Sequence, residues 1–169
     1  MSYSRRSVVA LIACSLTAVT VGPALAGGTT VQVSLWDKGG ASMSMMGSTK
    51  PMGMGMMGAD IGMVTMGITA DVTEVPVGEV TFQVVNDSKD MIHEMVLTPI
   101  ADAATLMPYD ADLQRVDEDA AGDLGEVADL DTGQSGALTL TLTPGTYILY
   151  CNIPGHYAAG MWTLLTVTA

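Results

Sequence analysis

The stretch that decides the fold reads Gly145-Thr146-Tyr147-Ile148-Leu149-Tyr150-Cys151-Asn152-Ile153-Pro154-Gly155-His156-Tyr157-Ala158-Ala159-Gly160-Met161-Trp162. Four residues separate Cys151 from His156, and four more separate His156 from Met161. A thiolate, an imidazole and a thioether set that close on one loop are soft ligands, the kind that selects copper over magnesium or calcium. The chain holds only two histidines, and the second, His93, completes a His-His-Cys-Met set. Such a set is what a mononuclear electron-transfer copper site requires.

The segment resembles the copper-binding loop of the cupredoxins, the small blue copper proteins. Its Cys-x4-His-x4-Met spacing, with Pro154-Gly155 ahead of the histidine, is most similar to the rusticyanin and sulfocyanin type. The resemblance covers residues 29 to 169 apart from two tracts described below. It implies one type 1 copper ion held by His93, Cys151, His156 and Met161, with Met161 axial, and a one-electron carrier rather than an enzyme. A lone histidine among apolar residues is ordinarily structural. His93, however, sits where a cupredoxin carries its first ligand, at the head of a strand that follows an Asn-bearing loop. The resemblance further places His156 near the surface, in an apolar rim of Ile153, Pro154 and Tyr157 that would dock a redox partner. The chain departs from the pattern at Glu94, where many cupredoxins carry Asn or Ser to support the cysteine sulfur.

Working outward, Thr146 to Cys151 and Trp162 to Thr168 read as the strands that flank the loop. Pro144-Gly145 makes a turn back to Ser135–Thr143, in which Leu138, Leu140 and Leu142 alternate with threonines. Val31, Val33 and Leu35 alternate in the same way over Thr29 to Leu35, and Trp36-Asp37-Lys38-Gly39-Gly40 closes that strand with turn chemistry. Further strands are expected from Met63 to Ala70, over Val72 to Pro76, over Val80 to Asn86 with Val80, Phe82 and Val84 inward, and from Met91 to Pro99. Many short strands separated by turns predict an all-β Greek-key sandwich.

Two tracts do not fit that pattern. Residues 41–60 interleave Met43, Met45, Met46, Met52, Met54, Met56 and Met57 with Gly and Ser, and show neither helical nor strand period. Their thioethers suit Cu(I), with Met-x-Met spacings that bring two sulfurs to one ion. The plain alternative is a flexible apolar tract that binds nothing. Residues 101–131 form an acidic excursion, with short helical turns expected over Ala101 to Leu106 and Tyr109 to Val116. From Asp110 to Asp131 it carries nine acidic residues against one basic, Arg115, the composition of a solvated surface excursion.

At the N-terminus, Arg5 and Arg6 precede an apolar run from Val8 to Val21 and then Ala24-Leu25-Ala26. That order predicts a signal peptide over residues 1–26, export to the periplasm and a mature domain over residues 27–169. The apolar run is too short, and too broken by Ser15, Thr17 and Thr20, to span a membrane. Ser4-Arg5-Arg6 fits the twin-arginine route in part, so the export route stays open. Cys14 leaves with the signal, and Cys151 then has no cysteine with which to form an internal disulfide.

The formal net charge of −12 argues against nucleic acid and anionic lipid as partners, and fits a basic redox protein such as a cytochrome. A monomer is expected. Two histidines are too few for a multicopper oxidase or a copper nitrite reductase, and one mature cysteine is too few for a dinuclear copper centre. The remaining alternative is a periplasmic copper-binding or tolerance factor that works through the Met-rich segment.

Overall fold

The computed structural model describes residues 28–39 and 65–169. The signal peptide expected over residues 1–26, the Met-rich insert at 41–60 and the start of the strand expected from Met63 lie outside them. Two sheets face each other. The first comprises β1 (Thr29–Asp37), β2 (Met66–Ala70), β4 (Gly78–Asn86) and β9 (Ser135–Leu142), in the spatial order β2-β1-β4-β9. The second comprises β3 (Glu74–Pro76), β5 (His93–Ile100), β8 (Gly125–Leu130), β10 (Gly145–Tyr150) and β11 (Trp162–Thr168), in the order β3-β11-β10-β5-β8. The pairs β1–β4 and β3–β11 are parallel and the others antiparallel, so sequence neighbours are repeatedly exchanged between the sheets. This is the expected all-β sandwich.

Alternation builds the core. Val31, Val33 and Leu35 from β1 and Val80, Phe82 and Val84 from β4 meet Met95, Leu97, Tyr147, Leu149, Leu165 and Val167 of the facing sheet. The Tyr147 hydroxyl donates to the Thr143 carbonyl at 2.8 Å and pins the turn between β9 and β10. At one edge Gly136 of β9 lies beneath the Val127 side chain of β8, where a Cβ would come within 2.5 Å of a methyl carbon, so the sheets close directly on each other there.

The strand β10 is buried on both faces. Tyr147 and Leu149 point into the inter-sheet core, whereas Ile148 and Tyr150 join a second cluster with Val96, Met107, Val116 and Tyr157 on the outer face. Apolar residues of the acidic excursion supply that cover, while its acidic side chains stay at the surface as expected of a solvated excursion. Its segment Tyr109 to Val116, expected to be helical, instead forms a hairpin of β6 (Tyr109–Asp110) and β7 (Arg115–Val116). The helical part is a single turn, α1 (Glu118–Ala121), capped by Asp117, whose carboxylate accepts from the Ala120 amide at 3.0 Å. Near its end the excursion forms β8, which pairs with β5 at the edge of the second sheet. Apolar residues spaced through an acidic tract, Met107, Val116, Val127 and Leu130, are the ones buried. Among the described residues no helix is long and apolar enough to cross a membrane.

Candidate metal centre

Cys151 follows the last residue of β10, and its amide donates to the Met161 carbonyl at 3.1 Å, which closes the neck of the loop. Inside the loop the His156 amide donates to Ile153 O at 2.9 Å and the Met161 amide to His156 O at 3.0 Å, so the chain folds into consecutive turns. Gly155 (φ 84) and Gly160 (φ 95) occupy the left-handed backbone that these turns need and that side chains disfavour. His93 opens β5, and the loop ahead of it is held from below. Asn86, fully buried at the end of β4, donates to Met91 O at 2.8 Å and to Leu130 O at 2.7 Å, and accepts from the Ser88 amide at 3.0 Å.

Folding therefore brings together three of the four anticipated ligands from two places in the chain. His93 Nδ1 lies 3.2 Å from His156 Nδ1, Cys151 Sγ lies 3.3 Å from His156 Nδ1 and 3.9 Å from His93 Nδ1. The point equidistant from those atoms is about 2 Å from each, the length of a metal–imidazole bond and slightly short of a metal–thiolate one. Among the described residues this is a cluster of His, Cys and carboxylate side chains able to hold a metal ion. Met161, the fourth, is fully buried in the same inter-sheet core as Cys151.

Burial controls the charge of the donors. Desolvation lowers the His156 pKa to about 4, with the neighbouring His93 adding to the effect, and it lowers that of His93 against the opposing pull of Asp37. Both imidazoles are thus neutral, with lone pairs available. Desolvation pushes the Cys151 thiol up to about 12, moderated by the backbone of Glu94 and Ile153. A bare thiolate is costly here, and a soft cation that replaces the thiol proton resolves the conflict. The donor set fits copper: two neutral nitrogens and one thiol sulfur in a closed, apolar pocket.

The departure at Glu94 is explained by its direction. Its carboxylate lies in the acidic cluster, where desolvation and then Glu126 and Glu118 raise its pKa to about 7 against the opposing pull of Arg115 and the Asn152 backbone. Tyr157, expected in the surface rim, is instead buried against Tyr150 and Tyr109, with ring centroids 5.9 and 5.8 Å away. Ile153 and Pro154 keep some exposure, but His156 is only 4% exposed.

Three supporting residues were not singled out as such from sequence. Asn86 reads as a strand terminator and Asp37 as a turn residue. Asn152, next to Cys151, exchanges two hydrogen bonds with the backbone of Val116, accepting from its amide at 2.7 Å and donating to its carbonyl at 2.9 Å. Only their placement beside ligands, in sequence or across the sandwich, marks them.

The family model of copper binding proteins of the plastocyanin/azurin family matches residues 55–168. A curated relative, Auracyanin-B of Chloroflexus aurantiacus, is 49% identical over 51 residues, which span 30% of this chain and 22% of that protein's length. Among solved structures, rusticyanin from Thiobacillus ferrooxidans is 19% identical over 84% of this chain and 79% of its own, with a TM-score of 0.52. Dithionite-reduced auracyanin from Roseiflexus castenholzii is 20% identical over 85% of this chain and 100% of its own, with a TM-score of 0.47. The family match runs over well more than half of the sequence and takes in His93, Cys151, His156 and Met161. On that match, and with the cupredoxin sandwich and the pocket already described, this chain belongs to the plastocyanin/azurin family of copper binding proteins.

Proposed function

We propose that the protein is an exported type 1 copper protein that carries single electrons, with His93 and His156 as imidazole ligands, Cys151 as the thiolate and Met161 as the weak axial thioether. The observation that carries this reading is the triangle of His93 Nδ1, His156 Nδ1 and Cys151 Sγ, fixed between β5 and the β10–β11 loop. Copper bound there supplies a one-electron couple. The residues supply rigidity: Asn86 under the His93 loop, the Cys151–Met161 backbone bond at the loop neck, and Asn152 on Val116. Donors anchored at so many points have little freedom to rearrange, and an electron can then arrive or leave with little geometric change.

Export to the periplasm is supported by the order Arg5-Arg6, apolar run, Ala24-Leu25-Ala26, with residues 27–169 as the mature domain. The acidic hairpin supports a basic redox partner such as a cytochrome. Asp110, Asp112, Asp117 and Asp119 are exposed, and the same hairpin touches the ligand loop where the Gly155 amide donates to Gln114 O at 2.9 Å.

A second role, copper handling, is favoured by one feature, the seven methionines between Met43 and Met57. Deletion of residues 43–58 separates the two roles. An electron carrier keeps its reversible single-electron titration and its exchange with a basic cytochrome. A handling protein loses additional bound Cu(I), leaves cells copper-sensitive, and shows negligible exchange with or without the tract.

A further inference from the structure

The end of β1 carries a carboxylate whose surroundings are unlike those of a turn residue. The Asp37 side chain is fully buried, as is that of His93, and Asp37 Oδ2 lies 3.4 Å from His93 Nε2. Its other oxygen, Oδ1, accepts from the amide of Gly39, whose φ of 89 turns the chain back over the carboxylate. Each oxygen thus has one fixed donor. A buried carboxylate is tolerated only when paired in this way.

The pairing fixes which nitrogen of His93 is free. With Nε2–H donating to Asp37, the proton is on Nε2 and the Nδ1 lone pair faces Cys151 Sγ and His156 Nδ1. His93 and His156 do not share this support, since no carboxylate bonds to the His156 ring among the described residues. The contact also runs between sheets, because β1 is in the first and β5 in the second. His93 is thereby oriented from the opposite side of the sandwich, by a residue 56 positions away.

We propose that Asp37 is the positioning residue of the copper centre. Its carboxylate holds His93 in the Nδ1-ligating tautomer and sets a negative charge behind that ligand, which favours the oxidised, more positive state of the metal. The inference rests on the reading of His93 as a ligand. Among the described residues Asp37 is hydrogen-bonded to His93 and to no other proposed ligand, so it orients the site through His93, while its charge also reaches His156.

The test uses Asp37→Asn and Asp37→Ala in the full mature chain. Asparagine keeps an acceptor and removes the charge; alanine removes both. In the metal-free protein, nitrogen-15 NMR of the histidine rings reads the tautomer. Wild type and Asp37→Asn should show His93 with the proton on Nε2, and Asp37→Ala a mixture of tautomers. In the copper-loaded protein, Asp37→Asn should raise the reduction potential, and Asp37→Ala should lower Cu(II) affinity by about 10- to 100-fold, the usual cost of losing such a partner. A purely packing role would leave the potential of the asparagine variant and the tautomer of the alanine variant unchanged, and that result overturns the proposal. A wild-type protein without a sulfur-to-copper band overturns the ligand reading beneath it. If the alanine variant does not fold, the asparagine potential decides alone.

Discussion

At the scale of single residues, the four proposed ligands are separable by what each would change. Cys151→Ser replaces the thiolate with a hydroxyl, and the strong visible band that depends on sulfur-to-copper charge transfer should vanish in an absorption spectrum. Retention of that band would mean that another sulfur supplies it. Met161→Gln should keep copper but lower the potential in voltammetry, because an oxygen donor favours Cu(II) more than a thioether does. An unchanged potential removes Met161 from the axial position. Asn86 contributes to stability rather than colour. In Asn86→Ala the buried Leu130 carbonyl loses its donor and the Ser88 amide its acceptor, while Met91 O keeps the Ser88 hydroxyl, at about 1–3 kcal/mol for each buried group left unsatisfied. Chemical denaturation of the metal-free protein should show that loss, and a stability within 0.5 kcal/mol of wild type, about the size of an ordinary surface substitution, would argue against it. All four proposed ligands were legible in the sequence: Cys151, His156 and Met161 because their donor chemistry and four-residue spacing are local to one loop, and His93 as the other of the two histidines, where the family resemblance implies a ligand. Asp37 was not, since an aspartate between a strand and two glycines is what any turn shows.

At the scale of elements, the excursion from 101 to 131 is where sequence and structure diverge. The strands with a strict period of two, β1, β4 and β9, are readable because each faces water or a loop on one side. The β8 strand hides its membership of the second sheet. Its inward residues, Val127 and Leu130, are three apart because the register with β5 shifts between His93 and Met95, and Asp129 takes a φ of 52 to absorb the extra residue. That breaks the alternation on which a strand is recognised. The hairpin of β6 and β7 was likewise concealed by acidic residues that face solvent while Val116 faces in. Asn152 ties this hairpin to the ligand loop. Asn152→Ala leaves the Val116 amide and carbonyl unpaired, and should lower stability by about 2 kcal/mol or more. It should also speed amide hydrogen exchange in residues 114–116 and 153–157. Unchanged exchange there would show that hairpin and loop are held independently.

At the scale of the whole molecule, the sandwich brings together donors that local structure cannot. His93 and Cys151 are 58 residues apart, yet β5 and β10 are hydrogen-bonded neighbours, so the approach of imidazole to thiol is a consequence of strand order. A ligand that binds only the folded chain stabilises it by mass action, so copper should raise the melting temperature and its removal by a chelator should lower it in a reversible, copper-dependent manner. A melting temperature indifferent to copper would mean that the pocket is not where the metal binds. The charge belongs to this scale as well. At −12 overall, with exposed aspartates on the hairpin beside the ligand loop, association with a basic electron-transfer partner should slow as ionic strength rises, measured by stopped flow. A rate independent of salt would point to an apolar contact instead. A copper count with a visible spectrum on residues 27–169, the proposed mature chain, through one cycle of reduction and oxidation decides whether this is a type 1 electron carrier. One copper ion per chain is expected, with an intense blue band that disappears on uptake of a single electron and returns on its removal. Copper bound without that band, or a band that does not respond to one electron, would contradict that reading.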